Sequence, residues 1–240
     1  MRCCLKSVFS GMLLGLLLLA ALAFGAYMYA YPKLDTALGD AVRREYMLPP
    51  SATIEFEHGT LLDTYQGKID SFYVAADEAK LEGLVISDVE LVSTGIQFDM
   101  TRTLITGEAE LKKVDHARLK FRVSEDALAD RWGETLGSRG IKEVDVELGD
   151  KEISVSGRID LQIASVPVSA RGVFEADGAK KIRMKVNEFS FGSTKLGVGQ
   201  FKELFSKSIR TPVIDLGALQ MGVDVKRLEP KNGYLYVEAE

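Results

Sequence analysis

The spacing of apolar residues changes along the chain, and each spacing predicts a different kind of element. The run from Ser7 to Tyr31 contains about 25 residues and no charged side chain. A helix of that length, rising 1.5 Å per residue, can cross a hydrocarbon core of about 30 Å. After this run, Leu34, Leu38 and Val42 recur at helical spacing ahead of Pro49, which predicts a short amphipathic helix.

From Thr53 onward, apolar and polar residues alternate with a period of two, which is typical of half-buried strands. The longest alternation runs from Ile153 to Ile163, and the sequences Asp177-Gly178 and Pro230 to Gly233 predict hairpin turns. The other predicted strands contain Ile54 and Phe56; Ile69, Phe72 and Val74; Leu84, Ile86, Val89 and Leu91; Leu104 through Leu111; Ala117, Leu119, Phe121 and Val123; Ile141 to Leu148; Val166, Val168, Ala170 and Phe174; Ile182, Met184 and Val186; Met221, Val223 and Val225; and Tyr234 to Ala239.

Two further helices are predicted among these strands. Ser124 is a candidate N-cap followed by two acidic residues, which favour the first turn of a helix. The second helix is predicted from Val198 to Ile209, ahead of Pro212. Their apolar faces contain Leu128, Trp132 and Leu136 on the first helix and Phe201, Leu204 and Phe205 on the second.

This order of elements indicates an α+β fold, with a long curved antiparallel sheet that wraps one or two helices. The strand from Glu152 to Ala164 would span about 40 Å, whereas a helix from Glu125 to Leu136 spans about 18 Å. Short helices therefore leave part of the apolar face of the sheet uncovered, unless the sheet curls on itself or an apolar ligand fills the gap. Periodicity leaves both solutions open: a lipid chain in the gap, or a twisted sheet that fills its own core.

Charges around the apolar run predict the membrane topology. Arg2 and Lys6 precede the run, and the opposite end carries charges of both signs, so the positive-inside rule places the N-terminus in the cytoplasm. We therefore expect residues 1–32 to form a transmembrane anchor or signal-anchor, and residues 33–240 to form one extracytoplasmic domain, either periplasmic or on the cell surface. The alternative is a cleaved signal peptide, since Ala21-Leu22-Ala23 has the small-x-small form of a cleavage site.

Composition narrows the classes of partner. Removing Arg2 and Lys6 from the 30 basic residues leaves 28 against 35 acidic residues, a net formal charge of −7 outside the membrane. This charge argues against nucleic acid and against a broad polybasic surface for anionic lipid headgroups. Cys3 and Cys4 are the only cysteines, so the exported domain is expected to fold without disulfides.

Candidate chemistry is sparse. The two histidines, His58 and His116, are far apart in sequence and are predicted to be surface or turn residues rather than members of a zinc site or triad. Carboxylates such as Glu55 and Glu57 occupy the outward positions of alternating strands, which indicates a solvated face. No nucleophile-elbow, phosphate-loop or zinc-protease motif is present. We therefore predict no enzymatic activity, no metal and no cofactor.

Four short segments stand out in the later part of the chain: Val123 to Leu128, Ser156-Gly157-Arg158, Val166-Pro167-Val168 and Val213 to Leu216. Together with their surroundings, from about Gly67 to Ala239, they resemble the LmeA-like family of bacterial envelope proteins. The resemblance implies an exported phospholipid-binding protein with a tubular lipid-binding type of fold, in which a long curved sheet wraps a helix and leaves an apolar groove. It implies no catalytic residue.

The leading hypothesis is a membrane-anchored envelope protein that binds phospholipid or another hydrophobic ligand in an apolar groove without catalysis. The six apolar residues of the two later helices are the predicted groove contacts, although stripes at helical spacing equally fit an ordinary core. The alternative is a structural or scaffolding envelope protein that recruits unidentified protein partners through its acidic surface or a sheet edge.

Overall fold

A computed structural model of the chain describes residues 35–44, 46–60, 63–64, 66–99, 102, 105–106, 111–138, 140–161, 164–192, 194–196, 213–219 and 221–240. The predicted anchor from Ser7 to Tyr31 and the predicted helix from Val198 to Ile209 lie outside these residues. Within the described ranges, no helix is both long and apolar enough to cross a bilayer.

The described strands form two antiparallel sheets, one of seven strands and one of six. Sheet A contains β1 (Thr53–Glu57), β2 (Lys68–Leu81), β3 (Leu84–Phe98), β4 (Leu111–Lys113), β5 (His116–Ser124), β12 (Val225–Lys231) and β13 (Tyr234–Ala239). Sheet B contains β6 (Ile141–Leu148), β7 (Ile153–Leu161), β8 (Ala164–Asp177), β9 (Lys181–Phe191), β10 (Thr194–Leu196) and β11 (Ile214–Asp215). Residues 35–44 form helix α1, and Glu125–Gly137 form helix α2.

Sheet A has the order β1-β2-β3-β5-β13-β12, with β4 paired to β3. Its centre is the long hairpin of β2 and β3, whose buried residues alternate with exposed ones. The register of β3 against β5 shifts between Ser87 and Glu90, where Asp88 has a φ of 50°. A bulge of this kind bends a strand and increases its twist, so sheet A curves around the elements that cover its inner face.

Sheet B is a meander with the order β10-β9-β8-β7-β6, and β11 pairs with β9. A register shift lies opposite Gly172, because Arg171 pairs with Glu188 while Gly172 pairs with Val186. Asn187 is therefore the extra residue of a bulge in β9. The bulge changes which residues of β9 point inward.

Helix α2 connects the two sheets, since it follows β5 and precedes β6. Its first turn is capped by Ser124, whose side chain accepts a hydrogen bond from the backbone N–H of Ala127 at 3.2 Å. Glu125 accepts a hydrogen bond from the backbone N–H of Leu148 at 2.6 Å, which ties the start of the helix to the end of β6. Leu128 is completely buried in the core that both sheets share.

A second connection returns the chain from sheet B to sheet A. We call residues 213–219 and 221–224 the crossover segment. It begins with the pairing of Ile214 to Ile182, and its end is fixed by hydrogen bonds in both directions between the backbones of Asp224 and Glu240. The crossover segment thus lies over the inner side of sheet A, and its apolar residues join the shared core.

The structure confirms the α+β, mainly antiparallel character predicted from the sequence, but the strands form two sheets rather than one. The predicted strand from Leu104 through Leu111 is wrong where it is described: residues 105 and 106 are helical, and a strand begins only at Leu111. The reason is a local cap, because Asp99 accepts a hydrogen bond from the backbone N–H of Arg102 at 3.0 Å. Met221 and Val223 precede the last hairpin rather than belonging to a strand.

Candidate functional site

An apolar cleft lies between the inner face of sheet A and the two segments that cover it. The sheet contributes Phe72, Val74, Ile86, Val89, Leu91 and Leu119. The cover consists of α1 with the turn after it, through Val42, Tyr46 and Leu48, and of the crossover segment, through Leu219, Met221 and Val223. Among the described residues that line the space between sheet A and this cover, Lys80 is the only charged one, and its side chain is exposed.

The cleft has two lobes along β3. The main lobe begins beside Leu81 and Ile86 and extends along β3 to Leu91. A second lobe continues past Ser93 to Phe98 and Leu111. Both lobes share walls formed by Val42, Tyr46, Phe72 and Met221. From Ile86 to Phe98 the strand covers about 40 Å, whereas one acyl chain spans half of a bilayer core, or about 15 Å.

The free volume of the cleft is small in this conformation. The main lobe has a cavity volume of about 60 Å³ and the second lobe about 10 Å³, which is room for a few water molecules. Side chains of the described residues therefore fill most of the space. This agrees with a twisted sheet that fills its own core, which is one of the two solutions that periodicity left open. A larger apolar ligand would enter only if the covering segments moved away from the sheet.

Helix α1 is held against the end of β1 by a polar contact. The imidazole Nε2 of His58 lies 2.5 Å from the Asp35 carboxylate at the start of α1. The side chain of His58 is only 8% exposed, although the residue lies in the loop that follows β1, whereas His116 is exposed on β5. The burial follows from this contact and from the ring of Phe56, whose centroid lies 6.3 Å away.

The crossover segment is held against sheet B by Asp215. Its carboxylate accepts a hydrogen bond from the backbone N–H of Gly217 at 2.8 Å and lies 3.1 Å from the ammonium of Lys181. These contacts, with that of Gly217 the strongest, keep the pKa of Asp215 below its usual value against the opposing effect of partial burial. The ionised carboxylate therefore helps to keep the cover of the cleft in place.

We expect Asp215→Asn to lower the unfolding temperature at about pH 6 and to have little effect in strong acid. Because the folded-state pKa lies below the usual value of 3.8, the stabilisation is complete above that value and is lost as the pH falls through the folded-state pKa. Thermal unfolding of both proteins across this range measures the effect. A difference between them that persisted unchanged in strong acid would contradict the assignment.

Ser93 is the polar exception on the inner face of the cleft. It is 2% exposed, it lines the second lobe, and its hydroxyl has no hydrogen-bond partner among the described residues. Ser93 is not one of the ligand contacts predicted from the sequence. The sequence signal for Ser93 is its position in the strand alternation, because Val89, Leu91 and Ser93 occupy successive inward positions of β3.

Three of the six predicted groove contacts, those on α2, lie within the described residues. Leu128 is fully buried in the shared core, and the ring of Trp132 stacks on Phe174 of β8 with centroids 6.4 Å apart. Leu136 packs between the shared core and a smaller cluster in sheet B. None of the three lines either lobe of the cleft described above. Phe201, Leu204 and Phe205 lie outside the described residues, so their role stays a prediction.

Many charged groups in the described ranges form surface pairs. Lys142 with Asp160 and Arg118 with Glu240 are typical, at 2.9 Å and 2.6 Å. In the same ranges, no three His, Cys, Asp or Glu side chains lie close enough together to hold a metal ion. The residues of these two pairs do not line either lobe of the cleft.

Comparison with known proteins identifies a family. The family model described as LmeA-like phospholipid-binding matches residues 34–240, which is most of the chain and includes both sheets. No curated protein and no solved structure gives a match.

Proposed function

The chain belongs to the LmeA-like phospholipid-binding family, and from this premise we propose that it binds a phospholipid with an acyl chain in the cleft between sheet A, α1 and the crossover segment. The observation that carries the proposal is the apolar lining of both lobes along a length greater than one acyl chain. Acyl chains gain free energy from such a lining in proportion to the apolar area removed from water.

Binding requires the cleft to open. Sheet A is continuous and hydrogen-bonded, whereas the crossover segment contains only the two-residue strand β11 and one short 3-10 helix, Leu216–Leu219. Elements with few backbone hydrogen bonds open at lower free energy than the interior of a sheet. The crossover segment is therefore the part that moves, and the lipid replaces its side chains against the sheet.

The headgroup stays in solvent, outside the apolar lining. Apart from Lys80, the described residues that line the two lobes carry no charge, so a phosphate is excluded from the lobes. The acyl chain then lies along the sheet and the phosphate stays at the edge of the cleft. This arrangement needs no broad basic surface, in agreement with the acidic net charge of the chain.

The location we propose is the outer side of a membrane. The uncharged run from Ser7 to Tyr31 directly precedes the family match, so a retained helix would hold the cleft within a short distance of a lipid leaflet. The function is lipid carriage or lipid sensing without catalysis. Protease protection of the domain in intact cells, with and without permeabilisation, tests this location.

Native mass spectrometry tests the lipid itself. Protein purified gently from its membrane should carry bound phospholipid, and emptied protein should take up a fluorescent phospholipid from vesicles. A protein that is empty as purified and takes up no lipid would contradict the proposed function.

We expect Met221→Ala to increase the rate of lipid uptake, because Met221 lines both lobes and belongs to the segment that must move. The matched control is Met184→Ala, since Met184 is similarly buried, at 7% against 8%, but lies on β9 away from the cleft. Both changes should lower stability by about 2–5 kcal/mol. If the two variants take up fluorescent phospholipid at the same rate, the assignment of the cleft is wrong.

A further inference from the structure

The hydroxyl of Ser93 is a polar group buried in the second lobe without a partner in the described ranges. Ser93 belongs to an interior strand, where it pairs with Phe72 on one side and Ala117 on the other. The backbone groups of the three strands are used by the two ladders. The side-chain hydroxyl therefore points from the sheet into a lobe lined mainly by carbon atoms, and no atom of the described part of the chain accepts or donates a hydrogen bond there.

A buried hydroxyl without a hydrogen bond destabilises the protein that contains it. A water molecule is a poor solution, because a buried water needs two to four polar partners. Among the described residues that line the lobe, only Ser93 and Tyr46 carry a side-chain hydroxyl. The site instead suits a ligand oxygen that apolar contacts hold in position.

We propose that the Ser93 hydroxyl donates a hydrogen bond to the ester carbonyl of a bound acyl chain, so that the cleft selects ester-linked lipids. This inference rests on the proposed function and names a specificity contact within the same site. An ester carbonyl is an uncharged acceptor between apolar carbon atoms and can enter the lobe along with its chain. A phosphate or a free carboxylate carries charge, which is far more costly to bury in such surroundings.

The arrangement also orients the lipid. With the ester at Ser93, one direction along β3 leads towards Phe98 and Leu111, and the other leads into the main lobe with Leu91 and Val89. The main lobe has the larger volume, and the chain occupies it. The hydroxyl thus fixes how far the chain slides along the sheet.

The test compares two phospholipids that share headgroup and chain length, one ester-linked and one ether-linked, in a competition assay with the full chain. The wild type should bind the ester-linked lipid about 3- to 10-fold more tightly, which corresponds to one ordinary hydrogen bond. Ser93→Ala should remove this preference by weakening only the ester-linked lipid. Ser154→Ala is the control, since it removes a half-buried hydroxyl from β7 in the other sheet and should keep the preference.

The outcomes separate the two proposals. If both lipids bind with equal affinity to the wild type, or if Ser93→Ala weakens both equally, the Ser93 contact is overturned while the lipid-binding function stands. A protein that binds neither lipid overturns the function itself. The empty Ser93→Ala protein supplies a second readout: its unfolding temperature should be equal to or higher than that of the wild type, and a clear decrease would show that the hydroxyl has a partner inside the protein.

Discussion

Replacing Gly172 with alanine is expected to lower the free energy of unfolding by about 3 kcal/mol or more. A Cβ atom at Gly172 would collide with the carbonyl oxygen of Lys185. The same Cβ would lie 2.8 Å from the carbonyl carbon of Lys185 and 3.0 Å from the Cα of Val186. These are backbone atoms of the neighbouring strand, which cannot rotate away as the end of a side chain can. Strands β8 and β9 must therefore separate at this point, and the hydrogen bonds beside it weaken.

The damage from Gly172→Ala should extend to packing, because Gly172 lies opposite the bulge at Asn187. Before the bulge Ile182 and Met184 are buried, and after it Phe189 is buried in the smaller cluster of sheet B. Because of the bulge, side chains of β9 contribute to two hydrophobic clusters, the shared core and the smaller cluster of sheet B. Loss of the bulge geometry would disturb the packing of both clusters.

The matched control for this prediction is Gly133→Ala in α2, where nothing lies within 4 Å of the added Cβ. Alanine favours helix over glycine, so this variant should unfold at the same or higher denaturant concentration, with a gain of up to about 1 kcal/mol. Urea unfolding followed by circular dichroism measures both variants. Equal midpoints would show that the close approach at Gly172 has no energetic consequence.

Leu128→Ala is expected to lower the free energy of unfolding by about 2–5 kcal/mol and to leave the lipid affinity of the folded protein unchanged. Leu128 is completely buried where α2 meets both sheets, so its removal leaves a cavity that rigid strands close only in part. It does not line either lobe of the cleft. We therefore expect Leu128 to act as a core residue and not as a lipid contact.

Leu91→Ala provides the comparison. Leu91 has the same side chain and is 7% exposed, so its stability loss should fall in the same range, but it lines the main lobe. We expect the lipid affinity to change for Leu91→Ala alone. Denaturant unfolding measures the stability of both variants, and lipid competition measures their lipid affinity. A similar change in affinity for Leu128→Ala would show that Leu128 does contact the lipid.

The sequence predicts those parts of the fold whose signals are local. Ser124 and the acidic residues after it predict α2 because a cap acts within one helical turn. The last hairpin is predicted because Asn232 and Gly233 both tolerate positive φ, and they have φ values of 52° and 76°. The buried alternation in β2 and β3 is likewise visible in the order of their residues.

The division into two sheets has no local signal. It depends on the pairing of Tyr234 with Ser124, about 110 positions earlier, and such contacts cannot be inferred from a periodicity of two. The cleft shares this limitation, because its cover comes from α1 and from Leu219 to Val223, which are far apart in sequence. Leu128 and Trp132 showed the helical spacing of a groove contact, but that spacing is equally the pattern of a core helix.

The position of β13 between β5 and β12 has a consequence for how the chain folds. Strand β5 has one neighbour, β3, as soon as it is made, but its other edge stays open until all of sheet B and the crossover segment have been synthesised. The six strands of sheet B are in effect an insertion within sheet A, so no single cut divides the protein into two units that each retain all their strands. Closing so long a loop is slow and leaves a strand edge unpaired in the meantime. A chain of this topology therefore reaches its final structure only after its last hairpin has been made.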